Sequence, residues 1–229
     1  MFFIEEKEWL DPQNWNTSLF GRTISGKSSK NPIPHTDRIP CSNDEVVFPI
    51  NATFKTVISL PQDMEIASIK IGGQDLDNGG FRKFLESKPG RFMFKEQSNK
   101  VTVAGERDDE CESECPCRLP RSDFETKVCS FVQCLDPGCD NPIKPPGYCC
   151  PICSVMIKVA PKDGLQFSEF HRIFEQHWED QDEASLGYAY STEDGHFIAI
   201  ITDIEDQSQS SLEISKNIMA ELSKSEDLF

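Results

Sequence analysis

The sequence predicts a multidomain chain, mainly β and then α+β. It reads as a β-rich region, a small disulfide-rich module and a C-terminal β-α-β-β-α layer. Three observations predict this. Short apolar runs recur through the first hundred residues, nine of the ten cysteines crowd between Cys111 and Cys153, and strand and helix patterns alternate in the last third. That last part is also the acidic one: from Met156 to Phe229 there are 16 Asp and Glu against 5 Lys and Arg, a net of −11. The expected divisions are 1–107, 108–153 and 154–229.

In the first region, "EVVFPI" (45–50), "TFKTVISL" (53–60), "EIASIKIGG" (65–73), "RFMFKE" (91–96) and "KVTVAG" (100–105) read as strands. Several alternate apolar and polar residues, as half-buried strands do. In "SIKIG", Ile69 and Ile71 are expected on one face and Lys70 on the other. "DNGG" (77–80) is a turn signal, because Asn and Gly tolerate positive φ. "FRKFLESKPG" (81–90) reads as one short helix with Phe81, Phe84 and Leu85 on one face. Many short strands with one helix fit a sandwich, a barrel or a β-solenoid, and no strict repeat selects among them.

Residues 108–153 hold few large apolar side chains and many Pro and Gly. A segment this short buries too little apolar area to offset its chain entropy, so it needs covalent staples. Beyond it, "SVMIKVA" (154–160) reads as a strand. "FSEFHRIFEQHW" (167–178) reads as a helix with Phe167, Phe170, Ile173, Phe174 and Trp178 on one face. "SLGYAYS" and "HFIAIIT" flank "TEDG", a hairpin signal. "SSLEISKNIMAELSK" reads as a last helix with a capping box from Ser210 to Glu213 and a stripe of Leu212, Ile218, Met219 and Leu222.

The cysteines allow three chemistries. Structural zinc wants four thiolate or imidazole ligands delivered as two short-spaced pairs, but the cluster has nine cysteines, no histidine and the adjacent pair Cys149-Cys150. A redox CxxC sits at the start of a helix, where the dipole lowers the thiol pKa, whereas "YCCPIC" (148–153) lies in a Pro-rich loop. A disulfide framework fits best. Neighbouring cysteines rarely bridge to each other, so Cys149 and Cys150 are expected to send two bridges in different directions. Such frameworks persist in oxidising compartments. Two N-glycosylation triplets agree with a secretory route, "NTS" at Asn16 and "NAT" at Asn51. Nine is odd, so one partner lies outside the cluster. Cys41 is the one remaining cysteine, and its expected partner is Cys111.

Composition excludes several functions. The net charge of −16 works against nucleic acid and anionic membrane surfaces. The longest apolar runs are far below the roughly 20 residues that a membrane span requires, so no membrane insertion is expected of this chain. Its first residues, "MFFIEEKEWL", lack the basic start and long apolar stretch of a signal peptide. His35, His171, His177 and His196 are scattered, and no G-x-S-x-G, H-E-x-x-H or P-loop motif occurs. The chain is therefore expected to be non-enzymatic, with no cofactor and no metal.

The cysteine order is CxxxCxC (Cys111, Cys115, Cys117), then Cys129, Cys134 and Cys139, then CCxxC (Cys149, Cys150, Cys153). It resembles a von Willebrand factor type C module, which has a CxxCxC element and a closing CCxxC. Here the first loop is one residue longer, and the usual leading cysteine is missing or replaced by Cys41. The ordered set "EWLDPQNW" (8–15), "DRIPCSNDEVVFP" (37–49), "FLESKPGRFMF" (84–94), the cysteine module and the acidic α/β segment is similar to the later part of the ectodomain in the amnionless family. The resemblance implies that the β-rich region is part of a β-helical fold docking against cubilin. It also implies an endocytic receptor subunit that helps to anchor that partner at the extracellular, apical side of the plasma membrane for protein uptake. Members carry a transmembrane helix and cytosolic F-x-N-P-x-F signals that this sequence lacks, so a portion of a longer protein is expected. On that reading Trp9, Trp15 and Phe20 are candidate partner-binding anchors, since large aromatics dominate interface energy. They also suit a local core. The alternative reading is a secreted modulator of the same cysteine-module type that binds growth factors.

Overall fold

The computed structural model describes residues 4–19, 22–96, 100–105, 119, 121–160, 165–178, 184–205 and 209–226. The chain is a mixed, β-rich protein with helices and a disulfide-rich segment. It forms two compact units. One comprises Met1–Gly26 with His35–Gln133, and the other comprises Lys27–Pro34 with Cys134–Phe229. By packing, the cysteine-rich stretch thus divides between the units at Gln133, and an eight-residue segment near the N-terminus belongs with the C-terminal half.

The first unit contains β1 (Glu6–Glu8), β2 (Thr17–Leu19), β3 (Arg22–Ile24), β4 (Glu45–Phe48), β5 (Lys55–Ile58), β6 (Met64–Ile66), β7 (Ser68–Ile71), β8 (Gln74–Leu76), β9 (Phe94–Glu96) and β10 (Val101–Val103). Its pairing is mostly parallel, and each parallel pair joins strands distant in sequence, as the long crossover between parallel neighbours requires. β5 lies between β1 and β9, with Glu6 opposite Lys55 and Val57 opposite Lys95. β6 pairs with β10 and β7 with β4. Three successive strands, β5, β6 and β7, thus each find a parallel neighbour in a different pass of the chain. The alternation in "SIKI" is as expected: Ile69 and Ile71 are buried and Lys70 is half-buried.

Two local signals resolve differently from the sequence reading. "DNGG" is not a free turn. Asp77 is the N-cap of α1 (Asn78–Glu86), its Oδ1 accepting from the Gly80 N–H at 2.6 Å, the favoured way to satisfy a free amide at a helix start. The single helix expected over 81–90 is two. α1 ends at Ser87, and α2 (Lys88–Met93) begins there. Ser87 Oγ donates to the Phe84 carbonyl at 2.6 Å and accepts from Gly90 N–H at 3.1 Å, and Pro89 suits the first turn of the second helix. A Cβ on Gly90 would lie 1.9 Å from the Phe84 carbonyl oxygen, so only glycine permits this tight junction. α2 also takes residues 91–93 from the expected strand. Further on, α3 (Arg121–Asp123) runs into a π-helical turn (Phe124–Val128) that buries Phe124 and Val128; the sequence reading placed no helix there.

The second unit contains β11 (Val155–Val159), α4 (Phe167–Trp178), β12 (Ser185–Ser191), β13 (Phe197–Asp203) and α5 (Ser210–Glu226). The antiparallel sheet has the order β11-β13-β12. β12 and β13 are joined through Thr192–His196, where Thr192 N–H donates to the His196 carbonyl at 2.8 Å and Gly195 takes φ +79°. β13 is buried on both faces. One face packs Phe197, Ala199 and Ile201 against α4 and α5. The other packs Ile198 and Ile200 against Tyr148 and Ile152 of the cysteine loop. All five expected apolar residues of α4 are buried, each contributing about 1.5–3 kcal/mol of apolar transfer.

The face of α5 differs from expectation. Ile214, Ile218 and Leu222 are buried with Ser211 and Ser215, while Leu212 and Met219 are exposed. Ser210 is already inside the helix. The helix start is held from the end of β13: Asp203 accepts from Ser211 N–H at 2.9 Å and from its Oγ at 2.7 Å. No helix among the described residues is long and apolar enough to cross a membrane.

Candidate functional site

The cysteine loop is built on two interlocked bridges, Cys134–Cys150 and Cys139–Cys153. Between them, Ile143 and Ile152 pair as an antiparallel bridge, with N–O distances of 2.9 and 2.7 Å. The tight turn at Pro145–Tyr148 brings Tyr148 beneath the loop. Its hydroxyl donates to the Pro32 carbonyl, and the Tyr190 hydroxyl donates to the Pro146 carbonyl at 2.8 Å. Lys30 Nζ donates to the Ile204 carbonyl. Segment 27–34 is thereby strapped to the second unit from two points.

Cys41, Cys129 and Cys149 are disulfide-bonded as well. The described cysteines are therefore cystines, whose sulfurs carry no thiolate for metal or redox chemistry. Cys149 and Cys150 do not bridge each other, since Cys150 is taken by Cys134. Cys111, Cys115 and Cys117 lie outside the described residues, so the expected pairing of Cys41 with Cys111 stays a proposal. Disulfides of this number place the folded chain in an oxidising compartment.

The candidate aromatic anchors separate. Asp11 caps a 3-10 turn over Pro12–Asn14, its Oδ1 accepting from Gln13 N–H at 2.9 Å. This turn sets Trp9 and Trp15 edge to face at 5.0 Å, and Trp15 Nε1 donates to the Trp9 carbonyl at 2.8 Å. Trp9 is fully buried in the first unit, with its Nε1 directed at Met64 Sδ at 3.3 Å. Trp15 is half-buried and continues the chain of rings to Phe48, Phe94 and Phe81. Phe20 lies outside the described residues. The sequence reading did not single out Phe48, Phe94 or Met64 as members of this stack. Phe48 and Phe94 fell in expected strands and Met64 just outside one, but which of them meet depends on pairing between distant passes of the chain.

The exposed faces carry paired charges. Lys70 on β7 reaches Glu45 of β4 at 3.4 Å and Asp75 of β8 at 3.2 Å, and these carboxylates, Asp75 first, hold its amine above the usual lysine range. Lys95 pairs with Glu6 across β5 and keeps that carboxyl below its usual range. In the second unit, His171 faces Glu175 at 3.5 Å, His177 faces Glu221 at 2.7 Å and His196 faces Asp194 at 2.9 Å. Asp194 is held down at about 2 by the Thr192 hydroxyl and then by His196. His35 is buried in a 3-10 turn of the first unit, and the three histidines of the second unit each face a different carboxylate. Among the described residues, no group of His, Cys, Asp and Glu is arranged to hold a metal ion. Asn16 and Asn51 are both exposed.

Known proteins agree on one family. The family model described as Amnionless matches residues 4–226. Protein amnionless of Sus scrofa is 24% identical over 159 residues, covering 66% of this chain and 28% of that protein. Protein amnionless of Drosophila melanogaster is 23% identical over 219 residues, covering 91% of this chain and 41% of that protein. For protein amnionless of Homo sapiens the identity is 23% over 157 residues, with 65% of this chain and 32% of that protein covered. The chain therefore spans well under half the length of these relatives. With the family model matching almost end to end, the chain belongs to the amnionless family.

Proposed function

We propose that this chain is part of the non-enzymatic extracellular portion of an endocytic receptor subunit. It binds a cubilin-like partner and helps to hold that partner at the membrane for uptake of protein ligands. The family match over residues 4–226 carries the reading. The disulfide framework supports an extracellular setting on the secretory route.

Within this reading, the parallel ladders of the first unit are coils of a β-helix, with β5, β6 and β7 forming one turn. The three stretches 1–107, 108–153 and 154–229 act as a docking region, a stapled spacer and an acidic membrane-proximal segment. Trp9, buried, acts by shaping the core. Trp15 and Phe20 are the residues offered to the partner. Cys41 bridges to Cys111, tying the spacer to the docking region. The second reading, a growth-factor modulator, is favoured by the closing CCxxC of the cysteine module alone.

The test is a binding measurement between the fully oxidised chain and the N-terminal region of a cubilin, beside a growth-factor dimer. Saturable binding to the cubilin, weakened by Trp15→Ala, is expected. Binding to the growth factor alone would overturn the receptor reading in favour of the second.

A further inference from the structure

We infer that Asn51 carries an N-linked oligosaccharide that covers the exposed apolar side chains of Val47 and Ile50. This rests on the secretory setting proposed above. The acceptor triplet Asn51-Ala52-Thr53 has no proline in its middle position. Asn51 lies in the tight turn that follows β4, closed by the Ala52 N–H donating to the Pro49 carbonyl at 3.1 Å. Asn51 and Thr53 are exposed, so a branched sugar projects into solvent without disturbing the fold.

The surroundings give the sugar a purpose. β4 turns Val46 and Phe48 inward and leaves Val47 55% exposed, and Ile50 beside the acceptor is 77% exposed. Two β-branched apolar side chains thus stand in water within four residues of the acceptor, where burial of their area under a glycan is favourable. The first sugars attached at Asn51 lie next to Ile50 in the chain and exclude water from it. A glycan here makes the outer face of the β4-β7-β8 sheet a solvent face, so a protein partner docks elsewhere on the first unit.

The transfer is a substitution. Asn51 Nδ2 bonds to the anomeric carbon of a lipid-pyrophosphate-linked oligosaccharide, and the bond from that carbon to the pyrophosphate oxygen breaks. The amide loses one proton, and the lipid pyrophosphate leaves. No oxidant or reductant is consumed.

The test expresses the full chain in cultured cells behind a cleavable secretion leader. Glycopeptides of the secreted protein are mapped with and without amidase release in heavy-oxygen water, which marks each occupied Asn as a labelled Asp. Asn51 is expected to be labelled. Asn51→Gln and Thr53→Ala are each expected to lose one glycan, while Thr53→Ser keeps it. Asn51→Gln should also bind more of a hydrophobic dye, and Ile50→Ser in that background should reverse the increase. An unlabelled Asn51 in a secreted, fully oxidised chain overturns the site and leaves the receptor reading standing. Free thiols together with an unlabelled Asn51 overturn both. Unchanged dye binding with a labelled Asn51 overturns the shielding role.

Discussion

Removing the Cys134–Cys150 bridge by the double substitution Cys134→Ala, Cys150→Ala probes how the cysteine loop is held. The bridge closes a loop with a sequence separation of 16. Loop-closure entropy at that length corresponds to about 3 kcal/mol of stability, acting mainly through the unfolded chain. The second bridge, Cys139–Cys153, has a separation of 14 and overlaps the first. Its removal alone is therefore worth a similar amount, and removal of both less than twice that, because the constraints share residues. For a domain of 60–100 residues, each kcal/mol shifts Tm by about 4–8 °C, so the expected fall is roughly 12–24 °C. The assay is thermal unfolding followed by near-ultraviolet circular dichroism. Tyr148 and Tyr190, packed together under the loop, report loss of that contact. A variant melting within about 1 °C of the parent would refute the entropic argument. It would mean that packing of Tyr148 and Ile152 on the sheet, not loop closure, holds the segment.

Three further outcomes follow from other contacts. Gly187→Ala would place a Cβ 2.6 Å from Phe174 Cζ and 2.8 Å from Trp178 Cδ1; both rings are buried and stacked. The substitution should therefore cost about 1–3 kcal/mol in denaturant titration, with Phe174→Leu recovering part of it in the double variant. Tyr148→Phe leaves the buried Pro32 carbonyl without its hydroxyl donor and should cost about 1–3 kcal/mol, whereas Tyr190→Phe, at a more open carbonyl, should cost less by the same titration. Asp194 has a folded pKa depressed from 3.8 to about 2, so its stabilising effect is present above pH 4 and is lost as pH falls through about 2. Stability measured against pH should show Asp194→Asn below the parent at neutral pH and level with it at the acid end of that window.

Much of the second unit was legible locally. The 3.6-residue period of "FSEFHRIFEQHW" named all five core residues of α4, because a long amphipathic helix against one sheet face leaves a single solution. The α5 stripe was misread at Leu212 and Met219: the buried face is the i, i+4, i+8 series Ile214, Ile218 and Leu222, and the sequence reading had left out Ile214. At 77–90, Asp77 was read as part of a turn and Ser87 as the interior of one helix, whereas both cap helices. Phe81 is buried from the first of these helices, and the glycine at 90 lets the second start hard against Phe84. The candidate site divides in the same way. Cys134, Cys139, Cys149, Cys150 and Cys153 were recognisable as staples from their density, while the pairing of Trp9 with Met64 was hidden in a separation of 55 residues.

The sequence by itself determined the redox state of this protein, the kind of each long element, and the acidity of its last third. Those follow from composition and short-range period, which act residue by residue along the chain. The tertiary structure alone decided which strands became parallel neighbours, which bridges formed between described cysteines, and that residues 27–34 serve the C-terminal unit. Each of these depends on closing long loops, whose entropic cost grows only slowly with length. Distant partners therefore compete nearly equally until packing chooses among them, as Tyr148 does by placing its hydroxyl on Pro32.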